Sequence, residues 1–203
     1  MKILKTYNEL FESIIKKSNY SYQDLKELPE LPNTLEYLDC KNNRLKKLPK
    51  LPENLEILYC HKNDLTELPE LPKSLKTLDC YNNRLTELPK LPDILEYLYC
   101  SNNQIKELPK LPNTLKKIYC SYNQIEKLPK LPETLEYLSC NNNQLTELPI
   151  LPETLINLSC YDNNLPYNDL KGYWKWFHEY YPVHYPDRYK RYLAKKKSKK
   201  FNI

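Results

Sequence analysis

The sequence predicts a superhelical solenoid of the α/β class. A parallel sheet forms its concave face, the convex side is extended and polyproline-like, and helical caps close both ends. Three observations carry this. Residues 35–54, LEYLDCKNNRLKKLPKLPEN, return at Leu55, Leu75, Leu95, Leu115 and Leu135 and half-return at Leu155, always twenty residues on; such a period marks a stack of similar coils. Within a copy, Leu38 and Cys40 alternate with Tyr37, Asp39 and Lys41, which is strand period. Pro49 and Pro52 then forbid a helix on the return path.

One strand and one extended return cannot bury their own apolar side. Stacking the next coil on them buries the repeated leucines in a continuous column, with parallel strands about 4.8 Å apart. The pattern LxxLxCxxNxLxxLPxLPxx covers residues 21–166, as seven copies after a partial first one. It resembles the short, proline-marked leucine-rich repeat of the bacterial YopM and IpaH effector families. Cys stands where those families usually carry Val or Leu. The richness in Lys, Asn and Tyr is also similar to leucine-rich repeat proteins of giant viruses. The resemblance implies a leucine-rich repeat solenoid whose strand face binds other proteins, as an effector or adaptor. It implies no chemistry, because fold does not fix function.

The single glycine, Gly172, excludes glycine-rich phosphate loops and the nucleophile elbow. Residues 1–20 lack a sustained apolar stretch, so neither a signal peptide nor a membrane span is expected. An intracellular location with reduced thiols follows. The seven cysteines, Cys40, Cys60, Cys80, Cys100, Cys120, Cys140 and Cys160, fall one per repeat. That spacing reads as a column of small buried side chains rather than a disulfide framework or a metal site. The asparagine column Asn43, Asn63, Asn83, Asn103, Asn123, Asn143 and Asn163 reads as architectural. It bonds loop amides and supplies the left-handed residues of a nearly glycine-free chain.

In chain order, Leu4, Tyr7, Phe11, Ile14 and Ile15 fall along one helical face. They place a helical cap in residues 1–20, with a helix running on through Lys16 or Lys17. The repeats occupy 21–166. Residues 167–185 form an aromatic helical cap, begun by Asn168 or Asp169, carrying Trp174 and Phe177 on its inner stripe, with Trp176 off it, and ended by Pro182. Residues 186–203 form a basic tail, and the chain from Lys171 onward carries +8 against −3 for everything before it. Arg188, Lys190, Arg191, Lys195, Lys196, Lys197, Lys199 and Lys200 lie in it. Such a block reads as a solvated, disordered tail, with nuclear import and contact to nucleic acid or anionic lipid as the alternatives.

Function is expected where the repeats differ, on outward strand positions and the turn after them. All nine tyrosines between Leu35 and Leu165 fall there. The partner-binding face is assigned to Tyr37, Asp39, Tyr59, Asp79, Arg84, Tyr97, Tyr99, Lys117, Tyr119 and Tyr137. Tyr97, Tyr99, Tyr119 and Tyr137 form its aromatic patch, and Tyr59 with a charged pair Asp79 and Arg84 its N-terminal flank. Aromatic residues suit strands in any case, but they also concentrate at interfaces. The expected partner is a protein or an extended peptide, with nucleic acid or an anionic surface at the tail as the alternative. No catalytic residue, cofactor or metal is assigned. The residues after Pro166 hold no cysteine, so a cysteine-based ligase of the IpaH kind is not expected.

Overall fold

In the computed structural model, residues 16–200 are described, and they form a stack of coils around one parallel sheet. Its eight strands run in sequence order: β1 Lys17–Asn19, β2 Tyr37–Asp39, β3 Ile57–Tyr59, β4 Thr77–Asp79, β5 Tyr97–Tyr99, β6 Lys117–Tyr119, β7 Tyr137–Ser139 and β8 Asn157–Ser159. Each residue pairs with the one twenty later, as Leu38 with Leu58 and Leu58 with Leu78. The repeat length therefore sets the register directly. Three helices follow the sheet: α1 Leu170–Glu179, α2 Tyr181–His184 and α3 Pro186–Lys200.

The expected cap helix over residues 4–15 lies outside the described residues. Its continuation through Lys16 or Lys17 is corrected, because Lys17–Asn19 is a strand that pairs in parallel with β2. Tyr20 donates its N–H to Asp39 O at 2.7 Å, which carries the ladder one residue further.

Each coil closes by the same devices. The carbonyl of the second proline accepts the N–H of the next strand's first leucine, as Pro52 does for Leu55 at 3.1 Å. Proline's missing N–H loses nothing there, since its oxygen makes the turn. Leu35, Leu38, Cys40 and Leu45 are fully buried, and the same places are buried in the copies that follow, except that Leu165 in the last is half-buried. Asn63 shows why the asparagine column is architectural. Its Nδ2 donates to Cys40 O and Cys60 O at 3.0 Å each, and its Oδ1 accepts Leu45 N–H at 3.0 Å. One side chain thus ties two coils together. The left-handed residues of the seven full-motif copies, however, stand one place earlier than expected, at Asn42, Lys62, Asn82, Asn102, Tyr122, Asn142 and Asp162, with φ between 52° and 55°, and Tyr22 and Asp24 are left-handed in the partial first coil. Asn and Asp tolerate that region best, and four of these seven are Asn.

Two further ladders follow the same period. Hydroxyls at the twentieth place bond the preceding coil, as Thr134 Oγ1 does with Asn113 O and Leu115 O at 2.8 Å. Charges at the second place pair across coils, Lys76 with Glu56 at 2.9 Å and Lys116 with Glu96 at 2.7 Å. All seven thiols are free and buried. Burial pushes Cys40, Cys120 and Cys160 up to about 12 and the other four upward as well.

At the C-terminal end, Asp169 caps α1 by accepting Gly172 N–H at 2.7 Å. Tyr173 and Phe177 are fully buried against the last coil, while Trp174 is half-buried. Trp176, read as off the stripe, is half-buried too and lies 5.2 Å from Tyr167. The helix ends at Glu179, and Pro182 stands in the first turn of α2. The disordered tail is a further correction: residues 186–200 are the helix α3. Its Pro186 and Asp187 suit a helix start, and Tyr192 packs on Phe177 at 5.0 Å between ring centroids. The block KKKSKK hid a helix whose apolar contacts lie in the residues before it.

Candidate partner-binding face

The strand face is built from the third, fifth and seventh places of each repeat. In β3 to β7 the middle residue is buried and its two neighbours are half-buried. Strand backbone groups are spent in the ladder, so the face presents side chains alone. It divides into two parts.

Over β2 to β4 it is aromatic and charged. Tyr37 meets Tyr59 edge-on at 5.7 Å. Lys41 Nζ lies 2.9 Å from Asp39 Oδ2 and 6.0 Å from the Tyr59 ring centre. Asp39 was expected to face a partner, yet it is 3% exposed. Lys41 and the flanking tyrosines cover it, and it is removed from the face. Asp79 is not paired with Arg84. Its Oδ2 lies 2.9 Å from His61 Nδ1, while Arg84 reaches Asp64 at 2.6 Å in the exposed turn. His61 also tilts over Tyr81 at 5.1 Å. Sequence reading passed over His61. The signal was its seventh place, two residues after outward Tyr59, where the strand's alternation continues.

Over β5 to β7 the face is aromatic and then polar. Tyr99 and Tyr119 occupy the same place on neighbouring strands and stack at 5.2 Å with 19° between the ring planes. Burial raises the Tyr99 phenol, and the neighbouring Tyr119 and Asp79 raise it further. Lys117 stands opposite Tyr97 and Tyr137, and its Nζ lies 4.6 Å from the Tyr137 ring centre. The expected four-ring patch is therefore one stacked pair beside a cation–π pair, with Tyr97 next to both. Beyond it, Ser121 Oγ bonds Ser139 Oγ at 2.9 Å, and Ser159 Oγ donates to Asn141 Oδ1 at 2.8 Å. Ser121 and Asn141 are buried, so this polar end is already self-satisfied.

The basic tail lies elsewhere. Lys196 reaches Glu153 at 3.4 Å, on the proline-bearing side of the last coil. Arg188 sits over the Tyr185 ring at 5.6 Å. Lys190 and Arg191 are exposed, and Lys195, Lys197, Lys199 and Lys200 share the same helix. Among the described residues no group of three His, Cys, Asp or Glu side chains is placed to hold a metal ion. No described helix is long and apolar enough to cross a membrane.

The family described as leucine rich repeats (two copies) matches residues 53–93 and 95–133, the coils that carry most of this face. The chain carries leucine-rich repeats. No curated protein matches it in sequence. Among solved structures, the leucine-rich repeat chain is similar to YopM from Yersinia enterocolitica, at 36% identity and a TM-score of 0.64 over 75% of this chain. It spans 39% of that protein's length. It is also similar to the leucine-rich repeat domain of a Shigella effector, at 29% identity, a TM-score of 0.56, and 81% and 76% of the two chains. A third likeness is to the functional domain of InlJ from Listeria monocytogenes, which includes a cysteine ladder. There the identity is 30% and the TM-score 0.68, over 79% of this chain and 37% of the other.

Proposed function

We propose that this leucine-rich repeat chain is a non-catalytic interaction module that docks a protein or extended peptide on its strand face. The carrying observation is the Tyr99–Tyr119 stack, half-buried at the middle of the sheet. Two rings fixed against each other offer a large apolar area with little rotamer entropy left to lose, which is the character of an interface anchor. Tyr97 and the Lys117–Tyr137 pair extend it on one side, and Tyr59, His61 and Asp79 on the other. The likeness to effector repeat domains supports a host-directed or adaptor role.

Photo-cross-linking tests this reading. A benzophenone residue at Thr77, opposite Tyr97 on the neighbouring strand, is expected to capture a discrete partner that the same residue at Lys90 does not. Equal capture from both positions overturns it.

A second reading rests on α3, where Arg188, Lys190 and Arg191 are exposed on one basic helix. It gives sequence-independent attraction to nucleic acid or an anionic surface. That binding weakens steeply with salt, whereas docking on the tyrosines does not.

A further inference from the structure

Between the last two complete coils and the C-terminal helices lies a partly enclosed groove of about 830 Å³. It faces away from the strand-side tyrosines. Its floor is apolar, made by Leu131, Ile150, Leu151 and Pro152, and its wall is aromatic, made by Trp176, Tyr181, Tyr185 and Tyr192. Ile150 is 42% exposed, although in the other full copies the same place holds Lys or Glu. The repeat thus becomes apolar at a coil that lines the groove beside α3. The groove's rim carries Lys127, Lys130, Arg188, Arg191 and Lys196 against Glu133, Glu147 and Glu153, so positive charge prevails. Lys196 is engaged by Glu153, but Arg188, Arg191 and Lys130 make no ion pair among the described residues.

From this we infer that the groove binds a free single-chain amphiphilic anion, with a long-chain carboxylate as the fitting ligand. Its volume lies within the roughly 300–1,000 Å³ usual for small-molecule sites. The backbone of the floor argues against a peptide. Pro149 and Pro152 have no N–H, and Leu151 N–H is already given to the Tyr173 hydroxyl at 3.3 Å. The floor backbone thus has little to offer an extended peptide, whose carbonyls and N–H groups would find no strand-like partner on it. An aliphatic chain carries no such groups. Its carboxylate at the rim meets Arg188 and Arg191, which lie one turn apart on α3 and form strong charge-assisted bonds to carboxylates.

The test uses the full chain, monomeric laurate, and dodecyltrimethylammonium as a probe of equal length and opposite charge. Saturable binding of one laurate per chain, quenching of tryptophan fluorescence and no binding of the cation are expected. R188A together with R191A lowers laurate affinity at least tenfold, and I150D abolishes binding. Both variants change exposed side chains, so circular dichroism is expected to be unchanged. Y99A together with Y119A leaves laurate binding intact, which separates this site from the proposed protein-docking face. Several results overturn the inference: no saturable binding below the micelle threshold, equal binding of both detergents, or laurate affinity unmoved by the arginine substitutions. Binding to anionic phospholipid vesicles without binding of monomeric laurate also overturns it. So does tighter binding of an acidic amphipathic peptide that laurate fails to displace.

Discussion

Asn63 Oδ1 accepts the N–H of Leu45, in the coil before its own, at 3.0 Å. Among the described residues that amide has no other acceptor, whereas Cys40 O and Cys60 O each receive a second asparagine, Asn43 and Asn83. The column is therefore redundant for carbonyls and irreplaceable for amides.

Asn63→Ala strands Leu45 N–H in the core, so a loss of about 1–3 kcal/mol is expected. Asn63→Asp keeps that acceptor but turns a carboxylate oxygen toward the carbonyls of Cys40 and Cys60. It is expected to cost more than the alanine. Urea midpoints of the two variants check the order, and a milder aspartate would show that the Nδ2 bonds contribute little.

The cysteine column predicts how stability responds to alkali. Burial raises every thiol, so the folded chain holds protons that the unfolded chain releases above about pH 8.5. Stability is therefore full below that pH and falls as pH rises toward the folded values. At one unit above the ordinary thiol value the loss is about 1.4 kcal/mol per thiol. Thermal midpoints between pH 7 and 10 check this, with Cys100→Ala and Cys120→Ala expected to shallow the fall. Alkylation of Cys80, Cys100 and Cys120 is expected to be slow without denaturant. Rapid labelling would contradict their burial.

Two truncations address the C-terminal end. Removing residues 186–203 takes Tyr189 and Tyr192 off Phe177, a limited loss. Removal from Leu170 onward also strips Tyr173 and Phe177 from the last coil and frees Leu151 N–H. Each buried ring is worth roughly 1.5–3 kcal/mol, so the longer deletion is expected to lower the midpoint much further. Equal midpoints would show that α1 does not stabilise the stack.

The period made most of the fold legible. Leu38, Cys40 and Asn63 recur in phase, and a twenty-residue step admits one parallel register. Local exceptions were harder to read. Lys17–Asn19 is a strand without the leucine motif, because pairing to β2 decides its conformation rather than its own sequence. Residues 186–200 carry many lysines, yet lysine is a good helix former and Tyr192 has Phe177 to pack on. On the face, place numbers located the tyrosines but not their partners. Asp39 is covered by Lys41, and Asp79 turns to His61 rather than Arg84, since both choices depend on side-chain reach across neighbouring coils.

The final prediction concerns Tyr99 and Tyr119. Their rings stack at 5.2 Å on adjacent strands, and both remain half-exposed. Central aromatics of this kind usually carry a large share of interface energy. Tyr99→Ala with Tyr119→Ala is therefore expected to weaken binding of the main partner at least tenfold, about 1.4 kcal/mol. The stack itself contributes to the fold, so a loss of about 0.5–1.5 kcal/mol of stability accompanies the change. Binding must accordingly be measured at a temperature where both proteins are folded. The matched control is Lys90→Ala with Lys110→Ala, two exposed side chains on the proline-bearing side. If the control loses binding while the tyrosine variant keeps it, the partner docks on the opposite face from the one proposed.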